Sequence, residues 1–477
     1  MESIISEEGA TFKDLEQFIF ENICLIGREW TKSILKEKDE EIFKTRDVAV
    51  YKSEGFRTTS IKTIYGDVMY SRRLYKNVHE DGSTEYVYLL DRELRVEKIG
   101  LISENLAGMI AEQAADAPYR KAAERINENT GASISPQGAW GLIQSIGERV
   151  VKEEEHDVNQ METGRGEGKK VCQLLLEEMD GVWIRQQGAH HEKKPMQEVK
   201  AATIYEGWDA QMEAQGRSTL VGKHVIAGIE DSKTFHDKRE AQIRKYYDAD
   251  EITHRIVNGD GGSWIKEPND PDAIIQLDPF HIHKEIRRLI ADKEAQKAIE
   301  ELHAKKDIDG MLEYIQIYAD SVASNDSSDK RTKNALALLK YLSNNKDALI
   351  PWLERGLDIP EPPAGVIYKD MGVQENQNCT LITLRMKHRR MRWGKRGGNN
   401  MVKVLYRREN HELHETINRY SNKLKFADIE IIEILSAAQA AKKDGRGSHY
   451  LDILNAHMPL IEAKITEGRK AIVGLSM

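Results

Sequence analysis

A chain of 477 residues, 40% hydrophobic and 31% charged, has the length for roughly three domains and the composition of a globular protein. Its three widely spaced cysteines (Cys24, Cys172, Cys379), its acidic start and its lack of long apolar runs exclude a disulfide scaffold and a membrane protein, leaving a soluble cytoplasmic one. The net charge of −9 argues against an indiscriminate nucleic-acid binder, but phosphate meets local charge, and that is strongly asymmetric here.

Residues 10–45 read as helix, with Phe12, Leu15, Phe18, Ile19, Ile23 and Leu25 at mostly helical spacing. IKTIYGDVMYSRRLYK (61–76) is strand-like with a turn at Tyr65-Gly66-Asp67, and EYVYLL (85–90) follows as a second strand. Arg72, Arg73 and three tyrosines make this a basic, aromatic hairpin suited to a DNA backbone; a solvated two-sided hairpin would carry the same pattern. Residues 119–150 give two helices broken at Thr130-Gly131, with Ser135 as N-cap and Pro136 as first helical residue. The spacing fits a helix-turn-helix and equally any αα-hairpin.

KEEEHDVNQMETGRGEGKK (152–170) is nearly devoid of apolar residues and reads as a linker. Beyond it, VCQLLLEEMDGVWI (171–184), KAATIYEGW (200–208) and KHVIAGI (223–229) read as consecutive strands. A helix near 233–247, a strand into THRIVNGDGG (253–262) and AIIQLDPF (273–280) follow, the order of a mixed α/β sheet. The stretch 281–358 is almost wholly helical and closes at PEPPAG (360–365); 373–396 and most of 411–474 again look helical.

Asp180 follows an apolar run, where an unpaired buried carboxylate would cost several kcal/mol, so it is expected at an edge or cleft. Asp-Gly is also a hairpin signal, so a plain turn is the competing reading. Asp260 repeats the arrangement within NGDGGSW. Two strand-end carboxylates are a natural seat for Mg²⁺, which prefers oxygen ligands. Glu375 is the sole acid between 375 and 408, among ten Lys/Arg that include Arg385, Arg389, Arg390, Arg392, Lys395 and Arg396. If that segment is one α-helix, Arg389 falls within about 40° of the Glu375 face. A metal ligand and phosphate-binding arginines could then share it, with Trp393 beside them; a solvated cationic face is the alternative. Asp278-Pro279-Phe280-His281 reads as a helix cap with Pro in first position. A metal site from Asp278, His281 and His283 lacks an identifiable fourth ligand.

Taken together, EMDGVWI, NGDGGSWI, LDPFHIHKEI and GVQENQN…LRMKHRRMRWGKRGG resemble the DDE transposases of bacterial insertion sequences, closest to the ISLre-two-type family, akin to Mutator-like transposases. The resemblance implies an RNase-H-like α/β core (171–291 and 366–410) interrupted by a helical insertion (292–365). An α+β DNA-binding region (1–151) and the linker (152–170) would precede it, and a helical tail (411–477) would follow. It also implies that Asp180, Asp260 and Glu375 bind two Mg²⁺ or Mn²⁺ ions. Asp278 and His281 would then lie near the site, resembling the Cys/Asp-x-x-His motif of related transposases. Glu361 and Glu354 lie near enough in sequence to compete with Glu375. The implied activity is cleavage at element ends and strand transfer to target DNA by a homo-oligomer. A nuclease without strand transfer, a non-catalytic DNA-binding protein of transposon origin and a small-molecule phosphoesterase are the rivals.

Overall fold

The computed structural model describes residues 11–79, 82–94, 101–165, 168–188, 196–266, 273–323 and 330–419. Two compact units divide the chain near residue 95.

The smaller unit begins with helix α1 (Phe12–Thr45), started by a capping box in which Thr11 and Asp14 satisfy each other's backbone N–H groups. Strands β1 (Tyr51–Thr63), β2 (Gly66–Val78) and β3 (Thr84–Val87) form a three-stranded sheet, and α2 (Leu89–Leu94) follows. Arg72 and Arg73 do not present their charge to solvent. Arg72 pairs with Asp91 at 2.7 Å and Arg73 with Asp39 at 2.6 Å, all four buried. A charge removed from water needs such a partner, so the expectation that these two arginines lie on a DNA backbone is corrected.

The larger unit opens with α3 (Glu104–Asp116), α4 (Tyr119–Asn129) and α5 (Pro136–Glu162). Ser135 caps α5 by accepting Gly138 N–H at 3.0 Å. Ala122, Ala123, Ile126, Ile143 and Ile146 join one core with the central sheet, so this helix pair is built into the larger unit rather than closing an N-terminal region at 151. The expected linker is also displaced. Helix α5 runs through its first eleven residues because buried Glu153 and Glu154 find cationic partners on other elements, which composition alone does not reveal.

Strands β4 (Leu174–Ile184) and β5 (Gln197–Tyr205) follow, then β6 (Gly207–Asp209), α6 (Ala210–Ala214), β7 (Leu220–Val221), β8 (His224–Gly228) and α7 (Ser232–Tyr246). Next come β9 (His254–Gly259), β10 (Ile274–Leu277) and α8 (Pro279–Leu289). The central sheet has the order β10-β9-β4-β5-β8, with β10, β9 and β4 parallel and β5 and β8 antiparallel to their neighbours. Helices α9 (Lys293–Ala304), α10 (Ile308–Ala323) and α11 (Lys330–Ser343) pack on α8 through Ile286, Ile299, Met311, Ile315 and Leu338. The short β11 (Val366–Ile367) joins β6 and β7 in a small antiparallel sheet.

Helix α12 (Gln374–Asn378) continues into a π-helical stretch over Cys379–Lys387 and a 3₁₀ turn over His388–Arg390; α13 (Lys395–Glu409) and α14 (Leu413–Asn418) close the described chain. The helical tail expected beyond residue 419 lies outside the described residues. Among those described, no helix is long and apolar enough to cross a membrane.

Buried charges tie these layers together. Glu177 of β4 is fully buried and pairs with Arg255 at 2.7 Å and Arg239 at 3.2 Å. Glu154 of α5 holds Lys238 of α7 and Lys403 of α13, each at 2.9 Å.

Candidate metal centre

Register places the acids before any side chain is considered. Met179 of β4 and Leu277 of β10 both pair with Gly259 of β9. The next residues, Asp180, Asp260 and Asp278, therefore stand side by side where the parallel pairing of the three strands ends. Asp180 is not in a hairpin turn, as its Asp-Gly dipeptide allowed: β4 continues to Ile184 and pairs with β5 throughout. The acid is nonetheless at the edge of a cleft, because its parallel neighbour β9 ends at Gly259.

Helix α12 brings Glu375 to the same place. A cleft of about 430 Å³ is lined by Asp180, Asp260, Glu375 and His281, together with Lys284, Glu285, Asn378, Cys379 and Lys387. Ligand atoms of Asp180, His281 and Glu375 lie within 4.8 Å of one another. Asp260 lines the cleft but is not in that closest group. Its Oδ1 accepts Gly262 N–H at 2.8 Å and its backbone carbonyl accepts the Tyr341 hydroxyl at 2.8 Å.

Asp180 is buried and ordered on both oxygens. Oδ1 accepts Gly181 N–H at 2.7 Å; Oδ2 accepts the Asn378 side-chain amide at 2.8 Å and lies 3.7 Å from His281 Nε2. Burial alone would lower the His281 pKa, but the neighbouring Asp180 carboxylate, with the Asp278 and Asp260 charges, outweighs it and raises the value. Asp278 is shifted upward, chiefly by burial and then by the Glu178 and Asp180 charges, against the Phe280 N–H and His281 that lower it. It caps α8 through Phe280 N–H at 2.8 Å, and α8 then presents His281 to Asp180. His283 instead meets the His303 ring at 5.6 Å.

Three carboxylates and one imidazole converging on a cleft suit a hard divalent ion. Mg²⁺ would take the carboxylates and keep waters; Mn²⁺ would also accept the imidazole.

The cationic segment divides in two. Arg385 and Trp393 are buried: Arg385 Nε donates to Ala114 O at 2.6 Å, and Trp393 Nε1 donates to Met386 O at 2.9 Å. Their work is packing, which corrects their expected place on DNA. Arg389, Arg390, Arg392, Lys395 and Arg396 are exposed, with Arg396 paired to Glu148. The shared helical face of Glu375 and Arg389 does not exist. The π-helical stretch changes the turn, and Arg389 and Arg390 adopt φ of 59° and 56°, so angles counted at 100° per residue fail beyond Asn378. Lys387 lies in the acid-lined cleft itself and joins it to the exposed cations. Sequence reasoning counted Lys387 in the cationic run without placing it in the cleft, and missed Lys284, Asn378 and Glu178. Of these last three, only Glu178 carried a signal, as one of three acids inside an otherwise apolar strand.

The chain matches the uncharacterised protein family UPF0236 over residues 5–422. It belongs to that family. A UPF0236 protein in the vanSb 3′ region of Streptococcus gallolyticus is 24% identical over 445 residues, covering 90% of this chain and 91% of that protein. The UPF0236 match includes the acid-lined cleft and the exposed cations after it.

Proposed function

We propose that this UPF0236 protein is a DDE-type DNA transposase with an RNase-H-like core, in which Asp180, Asp260 and Glu375 hold divalent metal ions. The observation that carries the reading is the meeting of these distant acids in one cleft that also contains Lys284 and Lys387. The strand order, with Asp180 and Asp260 side by side where the parallel pairing of β4 and β9 ends and the third acid on a later helix, supports it. So does the helical block inserted between β10 and α12.

A phosphodiester repels an anionic nucleophile, so its cleavage needs concentrated positive charge and fixed geometry. Divalent ions held by the three carboxylates would supply Lewis-acid stabilisation of the charge that develops on the phosphate. The chain's own residues do the rest. Lys284 and Lys387 offer charge to the phosphate, and Asn378 keeps Asp180 oriented. Arg389, Arg390, Arg392 and Lys395 extend the positive track along the DNA. Synapsis of two element ends would require a homo-oligomer.

The test uses the full-length protein, Mg²⁺ or Mn²⁺, labelled DNA from either flank of its coding sequence, and a supercoiled plasmid. Metal-dependent end cleavage and labelled plasmid are expected, and Asp180→Asn should abolish both. Cleavage without joining would leave a nuclease. Products that persist undiminished in Asp180→Asn would end the proposal.

A further inference from the structure

Glu178 lies two residues before Asp180, so both side chains leave the same face of β4. It is fully buried. Its carboxylate accepts the backbone N–H groups of Gly372, Val373 and Gln374 at 3.0, 2.9 and 3.2 Å. It also accepts the Tyr205 hydroxyl at 2.6 Å and the Asn258 amide at 3.2 Å. A carboxylate has about four lone-pair directions, so five donors saturate it. No capacity is left for a metal ion or a substrate, and its contribution is mechanical.

The three backbone donors belong to the turn that delivers Glu375. Gly372 adopts φ +142°, a conformation that favours glycine, and there its N–H donates to Glu178. Glu375 lies in the first turn of α12, where backbone N–H groups have no partner within the helix and need one from outside it. A metal ligand nevertheless has to be placed within about 0.5 Å. We infer that Glu178 is the positioning residue of the metal centre: it anchors the 372–374 turn to β4 and so fixes Glu375 opposite Asp180. The inference rests on the metal-centre reading of the cleft.

The experiment compares full-length wild-type protein, Glu178→Gln, Glu375→Gln and the double variant. Glutamine keeps the shape but turns one acceptor into a donor facing backbone N–H groups. Hydrogen exchange of the metal-free protein reads the anchor directly, and Mn²⁺ titration followed by electron paramagnetic resonance reads its consequence. Glu178→Gln should lose protection at the 372–374 amides and bind Mn²⁺ about 10–100-fold more weakly. In the Glu375→Gln background it should cost nothing further, because it acts through Glu375.

Unchanged protection, unchanged Mn²⁺ affinity, or an equal loss in both backgrounds would each overturn the assignment. Wild-type protein that binds no Mn²⁺ overturns the metal-centre reading and this role with it. Intact wild-type binding with an unaltered variant overturns this role alone. If Glu178→Gln fails to fold, Val373→Pro serves in its place: it deletes one of the three donors at a φ of −88°, close to proline's range.

Discussion

Asn378 donates its side-chain amide to Asp180 Oδ2 at 2.8 Å, across a gap of almost two hundred residues in sequence. Its own carbonyl accepts from Gln374 at 2.9 Å, and the Gln374 carbonyl accepts the Thr203 hydroxyl at 2.7 Å. The relay fixes which way each amide points and leaves Asp180 Oδ2 aimed between Asn378 and His281. Asn378→Ala should leave the fold intact and weaken Mn²⁺ binding by about 10–100-fold, the usual cost of losing a partner that orients a ligand. Isothermal titration with Mn²⁺ measures it, and an unaltered affinity would show that Asp180 needs no such orientation.

The exposed and buried cations of the 385–396 segment should separate in a salt titration. Replacing Arg389, Arg390 and Arg392 together by Ala removes up to three phosphate contacts. Each is worth about 0.9 in the slope of log K against log salt for duplex DNA. The slope should therefore fall by up to about 3, with little change in melting temperature. Arg385→Ala should do the reverse, because this buried guanidinium holds the Ala114 carbonyl. Fluorescence anisotropy with labelled duplex at several salt concentrations decides between them. An unchanged slope in the triple variant would remove the segment from the DNA path.

Stability should be acid-sensitive through the buried network. Burial would raise the Glu154 pKa, but Lys403, Lys238 and the Tyr406 hydroxyl outweigh it and hold the group below its ordinary 4.5. Glu177 is held down in the same way by Arg239 and Arg255 against its own burial. A folded value below the unfolded one adds stability above pH 4.5, and that stability is lost as pH falls through the folded value. Denaturation midpoints should thus drop below about pH 4.5. Glu154→Ala leaves Lys403 and Lys238 to share the single carboxylate of Glu230 and should cost up to about 3–5 kcal/mol at neutral pH. A melting curve for Glu154→Ala that overlays the wild type would contradict this account.

Much of the site was legible because strand periodicity and chain order are local signals. The apolar runs around Asp180 and Asp260 located β4 and β9, and the lone acid at Glu375 marked α12 against a cationic background. The long helical stretch after β10 was equally plain. What sequence could not supply was the partner of each charge. Arg72, Arg73 and Arg385 look identical to solvent-facing arginines until Asp91, Asp39 and Ala114 are seen beside them. The apparent linker failed for the same reason, since Glu153 and Glu154 are buried against cations over 80 residues away. The π-helical turn over Cys379–Lys387 was invisible too, because its residue pattern reads the same as an α-helix.

Tyr341 ties the helical block to the Asp260 loop. It sits on α11, and its hydroxyl donates to the Asp260 carbonyl at 2.8 Å. Beside it Gly261 adopts φ +75°, where an added Cβ would lie 2.7 Å from Leu277. The Asp260 loop is therefore held from the insertion on one side and by close packing on the other. Tyr341→Phe deletes one hydrogen bond, worth about 1 kcal/mol, and should barely move the melting temperature. It should lower Mn²⁺ affinity about tenfold, at the low end of the range for an outer partner. The effect should vanish in an Asp260→Asn background, where there is no ligand left to hold. Equal losses in both backgrounds would mean that Tyr341 acts on the fold as a whole, and that the insertion is packed beside the metal centre without supporting it.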